Sequence, residues 1–377
     1  MSTAAPLPPH PADHLPVGRC RRPLAAAQQH LARDRRLTLG FLGGSITADV
    51  GYNWPEGVAR WFARTFPEVR FAVENAAIGG TGSDSGCLRA PREIIDTGCQ
   101  LTFVEYAVND NGTPTARRNP SREGLIRRLL AAGQEVVLVY VYCPAMYEDM
   151  AAGRVPASIA ELETLADHYG LNSVWAGLHA FREVHEGKMK WAEWLPDGLH
   201  PQHRGSWSYA EAVTRLLIDA MPGVFGAGDT TPQPAATLPE PLDVRHWQHA
   251  APLPWSQVAT TGPWLLRRVQ DWHTGQILET HTPGAGLAFE FTGRALALIF
   301  EFGSRSADFR YRLDGGEWTP VAQTRFDWGG EHGLVIPCVV ADDLADGTHR
   351  FELETVHENR PESAGTECRL ALVGVVP

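Results

Sequence analysis

Basic charge is the first thing this sequence is short of. Its 33 Lys and Arg are outnumbered by 44 Asp and Glu, giving a net charge of −11, and no basic cluster interrupts that balance. A nucleic-acid surface shows as a basic excess, so nucleic acid is not an expected partner. Long apolar runs are missing as well. No stretch approaches the ~20 residues that a membrane span requires, and no membrane partner is expected. Residues 1–18 are rich in Pro, Ala and His but lack the uninterrupted apolar core of a secretory leader. The chain as it stands is therefore expected in the cytoplasm, with secretion following only if a leader has been removed. The six cysteines, Cys20, Cys87, Cys99, Cys143, Cys338 and Cys368, are dispersed without a CxxC pair, which excludes a zinc site of the usual spacing. They are expected to be reduced and mostly buried. The histidines His168, His179 and His185 also lack ligand spacing, and Gly79-Gly80-Thr81-Gly82 has no P-loop lysine. No metal and no cofactor is expected.

What is present is a globular composition, 44% hydrophobic over 377 residues, long enough for two cores. Helix formers fill Arg22 to Arg36, and helical spacing marks Trp54 to Phe66, Glu123 to Ala132, Ile159 to Tyr169 and Ser206 to Ala220. Between them lie short apolar runs at Leu39 to Gly43, Phe71 to Asn75, Leu101 to Val108, Val136 to Tyr142 and Leu171 to Val174. Strands alternating with helices predict a parallel sheet covered on both faces. After Met221 the composition changes. Residues 223–241 are rich in Pro and Gly and read as a linker. Beyond it the period switches to alternation at 287–291, 295–302, 309–313, 333–340, 350–355 and 369–376, with Asp314-Gly315-Gly316 and Asp346-Gly347 as turns. This predicts a second, antiparallel β-sandwich domain over residues 242–377.

In an open α/β sheet, ligands bind beyond the carboxyl ends of the strands. The first three strands end in Gly43-Gly44-Ser45, in the turn holding Gly79-Gly80, and in Asn109-Asp110. A hydroxyl, a bare backbone amide and a side-chain amide are the parts needed to attack a carbonyl and hold its oxyanion. By itself, Ser45 reads equally well as the cap of a following helix. A base is supplied by Asp197-Gly198-Leu199-His200-Pro201, where a carboxylate three residues before a histidine can orient the imidazole and leave its Nε2 free for the serine proton. Glu105, inside an apolar strand, requires a partner. The expected partner is Arg89, bracing the loop that carries Gly80. Asp110 is expected to be structural. Trp191 and Trp194, just ahead of the Asp197 turn, read either as core or as the lining of an acyl or sugar pocket.

Taken in this order, Gly43-Gly44-Ser45-Ile46-Thr47, Asn75 to Ser83, Val104-Glu105-Tyr106-Ala107-Val108-Asn109-Asp110 and Asp197-Gly198-Leu199-His200-Pro201 resemble the four blocks of the SGNH, or GDSL, hydrolase superfamily. The likeness covers roughly residues 35–220. It implies a flavodoxin-like three-layer α/β/α sandwich over residues 1–222, with residues 1–22 as an N-terminal extension. It also implies Ser45 as nucleophile, Asp197 and His200 as the rest of a triad, and an oxyanion hole formed by the Ser45 and Gly80 amides with the Asn109 side chain. The usual block reads Gly-Asp-Ser, and Gly44 here stands at the aspartate position. That aspartate is not the triad acid, so the departure touches the subfamily and leaves the chemistry in place.

The expected function is hydrolysis of small acyl esters, acetyl above all, through an acyl-enzyme. The second domain is similar to jelly-roll domains that accompany some carbohydrate esterases, which points to an acylated carbohydrate as substrate. In those esterases the accessory domain comes first, whereas here it follows. Two other readings stand beside this one. One is acyl transfer to a sugar or other alcohol; the other is a glycan-binding protein with a vestigial hydrolase domain.

Overall fold

A computed structural model describes residues 10–48, 53–225, 237–269, 275–322, 325, 333–357 and 364–377. The chain divides into two compact units, Met1–Gln248 and His249–Pro377. No helix among the described residues is long and apolar enough to cross a membrane.

The first unit is built on strands β1 (Gly18–Arg19), β2 (Arg36–Gly43), β3 (Arg70–Asn75), β4 (Leu101–Glu105), β5 (Glu135–Val139) and β6 (Asn172–Val174). They are ordered β1-β6-β5-β4-β2-β3. Strands β2 to β6 run parallel, and their order is that of a flavodoxin-like sheet. The short antiparallel β1 covers the β6 edge and is too brief and polar to be legible in the sequence. Strands β4 and β5 are almost wholly buried, as central parallel strands are. The register sets Gly43 opposite Glu105 and Phe41 opposite Asn75, so the carboxyl ends of β2, β3 and β4 finish almost level.

Helix Trp54–Thr65 starts where Asn53 Oδ1 accepts the Glu56 amide at 3.0 Å, with Pro55 in its first turn. It buries Trp54, Val58 and Phe62. Trp54 meets Phe41 edge-on at 5.4 Å, and Phe41 stacks on Phe103 at 5.0 Å, making an aromatic floor under the end of β2. Helix His203–Ala220 lies against helix Trp54–Thr65 so closely that a Cβ on Gly57 would come within 2.6 Å of the Ala210 Cβ. Helix Thr115–Ala131 begins eight residues earlier than the periodicity suggests, because Pro120 and buried Arg118 and Arg122 hide its first turns from a hydropathy reading. Helices Ser83–Ala90 and Ala176–His185 were not expected either.

The expected linker, 223–241, falls largely outside the described residues. Its far end differs from expectation: the boundary between units lies after Gln248, not after residue 241. The cause is a strap, residues 237–248, laid along helix Thr115–Ala131. Trp247 is buried and donates its amide to the Pro120 carbonyl at 3.0 Å, in the place where only a glycine, Gly124, leaves room for its backbone. The buried Glu123 carboxylate accepts the Leu242 and Asp243 amides at 2.6 and 2.8 Å, and Arg128 Nε donates to the Gln248 carbonyl at 2.7 Å.

The second unit is a sandwich of two antiparallel sheets. One holds β9 (Leu265–Arg268), β10 (Gln276–Thr280), β17 (Cys368–Val376), β12 (Ala295–Phe302) and β15 (Leu334–Ala341), with β7 (Ala251–Pro252) paired to β17. The other is ordered β14 (Thr319–Val321), β13 (Asp308–Leu313), β16 (Thr348–Val356), β11 (Gly286–Thr292) and β8 (Ala259–Thr261). Alternation sends Phe289, Phe291, Phe309, Phe351 and Leu353 inward against Leu298, Phe300 and Leu370. The six expected strands are present; β10, between β17 and β9, and the short β7, β8, β9 and β14 are additions, and β8 and β9 bury nothing that a pattern would reveal. All six cysteines are free, with Cys20 exposed, Cys338 half-buried and the rest buried.

Candidate active site

The turn after β2 is made by two glycines for two different reasons. A Cβ on Gly43 would lie 2.6 Å from Thr47 Oγ1 and 2.9 Å from the Glu105 carbonyl, so only a bare α-carbon lets the chain curl back over β4. A Cβ on Gly44 would lie 1.8 Å from Asn109 Oδ1. The Asn109 side chain thus occupies the space where residue 44 would carry its own, so this arrangement requires glycine at 44. The Gly44 carbonyl accepts the Thr47 and Ala48 amides at 3.1 and 3.0 Å, closing the short helix Ser45–Ala48. Ser45 does not cap it: its hydroxyl lies 2.9 Å from His200 Nε2.

Asp197 and His200 come from a turn that orders itself. Asp197 Oδ1 accepts the Leu199 and His200 amides at 2.8 and 2.7 Å, while Oδ2 lies 2.7 Å from His200 Nδ1. Gly198 supplies the positive φ, 86°, that the turn needs. Burial pushes the Asp197 carboxyl upward, but the His200 amide and ring and the Leu199 amide outweigh it and hold the group down at about 2. With the Nδ1 proton directed at that carboxylate, Nε2 is the acceptor for the Ser45 hydroxyl. The turn is anchored from below. Buried Trp194 donates Nε1 to Tyr209 Oη at 3.1 Å, and Gly205 lets helix His203–Ala220 pass within contact of the Trp194 carbonyl.

The loop after β3 is tied to the same frame. The Ala76 and Ile78 amides donate to the Phe41 and Gly43 carbonyls at 2.9 and 3.0 Å. Asn75 donates Nδ2 to the Thr47 carbonyl at 2.9 Å and accepts the Ala77 amide at 3.1 Å. Gly79 then passes against Ser45, 3.6 Å from the serine Cβ to the place of a glycine Cβ, and Gly80 follows with φ 79°. Asn109 opens the one-turn helix Asn109–Gly112 beyond β4. Ser45, Asn109, Asp197 and His200 therefore meet at one edge of the sheet, with Gly80 in the loop alongside.

The expected Glu105–Arg89 pair does not form. Arg89, almost fully buried, pairs with Glu93 and donates Nη1 to the Ala76 carbonyl at 2.9 Å. It still braces the loop carrying Gly80, but through the backbone and with its helix neighbour as counter-charge. Glu105, with none of its surface exposed, accepts the Thr47 hydroxyl at 3.0 Å. Asp110 is structural: it accepts the Ser83 amide at 2.9 Å and pairs with the buried Arg122 guanidinium at 2.7 Å. Trp194 is core, while Trp191 is half-buried and meets Tyr142 and Tyr147 edge-on at 5.7 and 5.9 Å. Sequence spacing also missed the grouping of His179, Glu183 and Glu211, whose ligand atoms lie within 4.8 Å of one another. Helical spacing links only the first two of these residues, and each carboxylate already holds a guanidinium, Arg204 on Glu183 and Arg215 on Glu211.

Residues 41–207 match the model of the GDSL-like lipase/acylhydrolase family. Two solved structures of a two-domain esterase (CEX) active on acetylated mannans, one of them co-crystallised with mannopentaose, share the fold. Each superimposes with a TM-score of 0.77 at 22% identity, over 94% of this chain and 95% or 96% of theirs. No curated protein matches the chain in sequence. A likeness at that identity speaks for the fold of both units. The stretch of the first unit that carries Ser45, Gly80, Asn109, Asp197 and His200 is similar to the GDSL-like lipase/acylhydrolase family, and the two units together have the fold of an SGNH-type esterase followed by a β domain.

Proposed function

We propose that this protein is a serine esterase that removes small acyl groups, acetyl above all, from a carbohydrate through an acyl-enzyme. The observation that carries the proposal is the relay of Ser45 Oγ, His200 and Asp197, joined at 2.9 and 2.7 Å. In it, His200 Nε2 takes the Ser45 proton as Oγ attacks the ester carbonyl carbon, and the Asp197 carboxylate stabilises the imidazolium that forms. The carbonyl oxygen gathers negative charge against the Ser45 and Gly80 amides and the Asn109 side chain. Collapse expels the sugar hydroxyl, which leaves with the proton held on His200. A water then enters, His200 removes its proton, and a second collapse frees the carboxylic acid and restores Ser45.

A carbohydrate leaving group is supported by two things. The solved esterase that shares the fold of both units acts on acetylated mannans. Trp191 and Tyr147, the latter 43% exposed, also form an aromatic surface against Tyr142 in the chain beyond β5, the face on which sugar rings stack. The test is Ser45→Ala against the parent on p-nitrophenyl acetate and on acetylated manno- and xylo-oligosaccharides, read as acetate released. Loss of turnover and of covalent labelling by a phosphonofluoridate is expected; equal turnover by the two proteins refutes the proposal. Product analysis with competing alcohols separates water from an alcohol as acceptor.

A further inference from the structure

Glu105 is a buried carboxyl that the relay does not use. It ends β4 opposite Gly43, at the junction of the two turns that carry Ser45 and Asn109. On the Ser45 side it accepts the Thr47 hydroxyl at 3.0 Å, and Thr47 Oγ1 in turn accepts the Trp54 indole N–H at 3.2 Å. Its other oxygen, Oε1, is buried and makes no close hydrogen bond, with the Gly44 and Val108 amides near enough to act on its charge.

We infer that Glu105 is a positioning residue for the acyl-transfer step, its carboxyl tying the nucleophile turn, through Thr47, to the end of β4 from which the oxyanion turn continues. The side chain thus fixes one turn while its own backbone, paired opposite Gly43, leads into the other. The frame matters because the Ser45 Oγ and the Asn109 amide must address the two atoms of one carbonyl. A relative slip of ~1 Å between such groups is enough to lower rate on the order of 10²-fold.

Burial makes the protonation state of Glu105 part of its role. Desolvation pushes its carboxyl up to about 8, against the Thr47 hydroxyl and the Gly44 and Val108 amides, which favour the charged form. The group is therefore uncharged below that pH and ionises above it. The titratable groups that face it are Asp110, Tyr106, Cys143 and Tyr209. Burial pushes both tyrosines and the cysteine upward, which keeps them neutral, and Asp110 is paired with Arg122. Glu105 is thus the group in this set that gains charge on leaving neutral pH. Its ionisation sets a negative charge beneath turns that must receive an oxyanion, so turnover falls on the alkaline side.

The inference rests on the esterase proposal, and the test keeps the two apart. kcat and KM on p-nitrophenyl acetate are measured from neutral to alkaline pH for the parent, Glu105→Gln and Glu105→Ala, together with phosphonofluoridate labelling of Ser45. Removing the carboxyl with Ala is expected to lower kcat on the order of 10²-fold with KM within a few-fold of the parent. A Gln amide keeps one oxygen to accept the Thr47 hydroxyl but cannot ionise. That variant is expected to stay within a few-fold of the parent at neutral pH and to lose the parent's decline above about 8. An Ala variant with parental kcat, or a Gln variant that keeps the alkaline decline, overturns the inference. If the Ala variant does not fold, the Gln profile decides alone. A parent whose Ser45 takes no label overturns the esterase proposal; a labelled, active parent with unresponsive Glu105 variants overturns only this inference.

Discussion

Gly44→Ala is the smallest change that probes the site, a single methyl group. Its Cβ would fall 1.8 Å from Asn109 Oδ1 and 2.7 Å from Asn109 Cγ. Carbon and oxygen do not approach within ~3 Å without a bond, so the amide must retreat by at least about 1.2 Å. The backbone at 44 cannot yield instead, because the Gly44 carbonyl holds the Thr47 and Ala48 amides and Gly43 is wedged over the Glu105 carbonyl. On the proposed role of Asn109, an oxyanion donor displaced that far is lost as a donor. Losing one such donor costs on the order of 10²-fold to 10³-fold in kcat, about 3 to 4 kcal/mol. Steady-state kinetics on p-nitrophenyl acetate of Gly44→Ala, Asn109→Ala and the double variant form the assay, with thermal unfolding as a control for the fold. Both single variants are expected to lose kcat to a similar degree with KM little changed. The double variant should be no slower than Asn109→Ala alone, because the methyl then has nothing left to displace. Parental kcat in Gly44→Ala, or losses that multiply in the double variant, would refute the reasoning.

Three further outcomes are expected. Arg89→Met leaves Glu93 without its buried partner and releases the Ala76 carbonyl, so the melting temperature should fall with a loss of about 3 kcal/mol, and kcat should fall with it as the Gly80 loop loosens. Trp247→Ala empties the seat of the strap on helix Thr115–Ala131; a loss of about 3 to 5 kcal/mol in chemical denaturation is expected, with KM unaffected. Glu105→Gln should flatten the dependence of stability on pH. The folded-state pKa is raised, so between the unfolded carboxyl value and about 8 the native state holds a proton that the unfolded chain has lost. Stability in the parent then falls with rising pH across that window, by up to about 1.4 kcal/mol per unit, and denaturant titrations at several pH values read the difference.

The features legible in the sequence share a physical cause: each is fixed by neighbours in the chain. The apolar runs of β2, β4 and β5, the alternation of β11, β12 and β16, and the helical spacing of Trp54–Thr65 are local patterns. The Asp197 turn is of the same kind, since both of its oxygens are used within three residues. What stayed hidden depends on contacts between distant segments. Strap 237–248 reads as linker up to residue 241 and as the start of the second domain beyond it, because its binding surface, Pro120, Gly124 and Arg128, lies more than a hundred residues away. Glu105 was rightly expected to need a partner and wrongly given Arg89, because charge complementarity ranked a guanidinium above the Thr47 hydroxyl that the register of β2 and β4 brings to it. Gly44 was visible as a departure from the usual block, but its reason is steric and sits on Asn109, beyond the reach of any spacing argument.

The self-ordered Asp197 turn also decides where the relay can fail. Acid and base are welded into one piece by three hydrogen bonds inside four residues, with both side chains about half exposed, 55% for Asp197 and 43% for His200. The serine belongs to a different piece, the β2–β4 frame. Movement of the chain around Pro196 and Pro201 therefore carries Asp197 and His200 together and changes one distance, Ser45 to His200, leaving the other untouched. The relay has a single joint between pieces, the Ser45–His200 contact, and the imidazole keeps its orientation on Asp197 whatever happens to that contact.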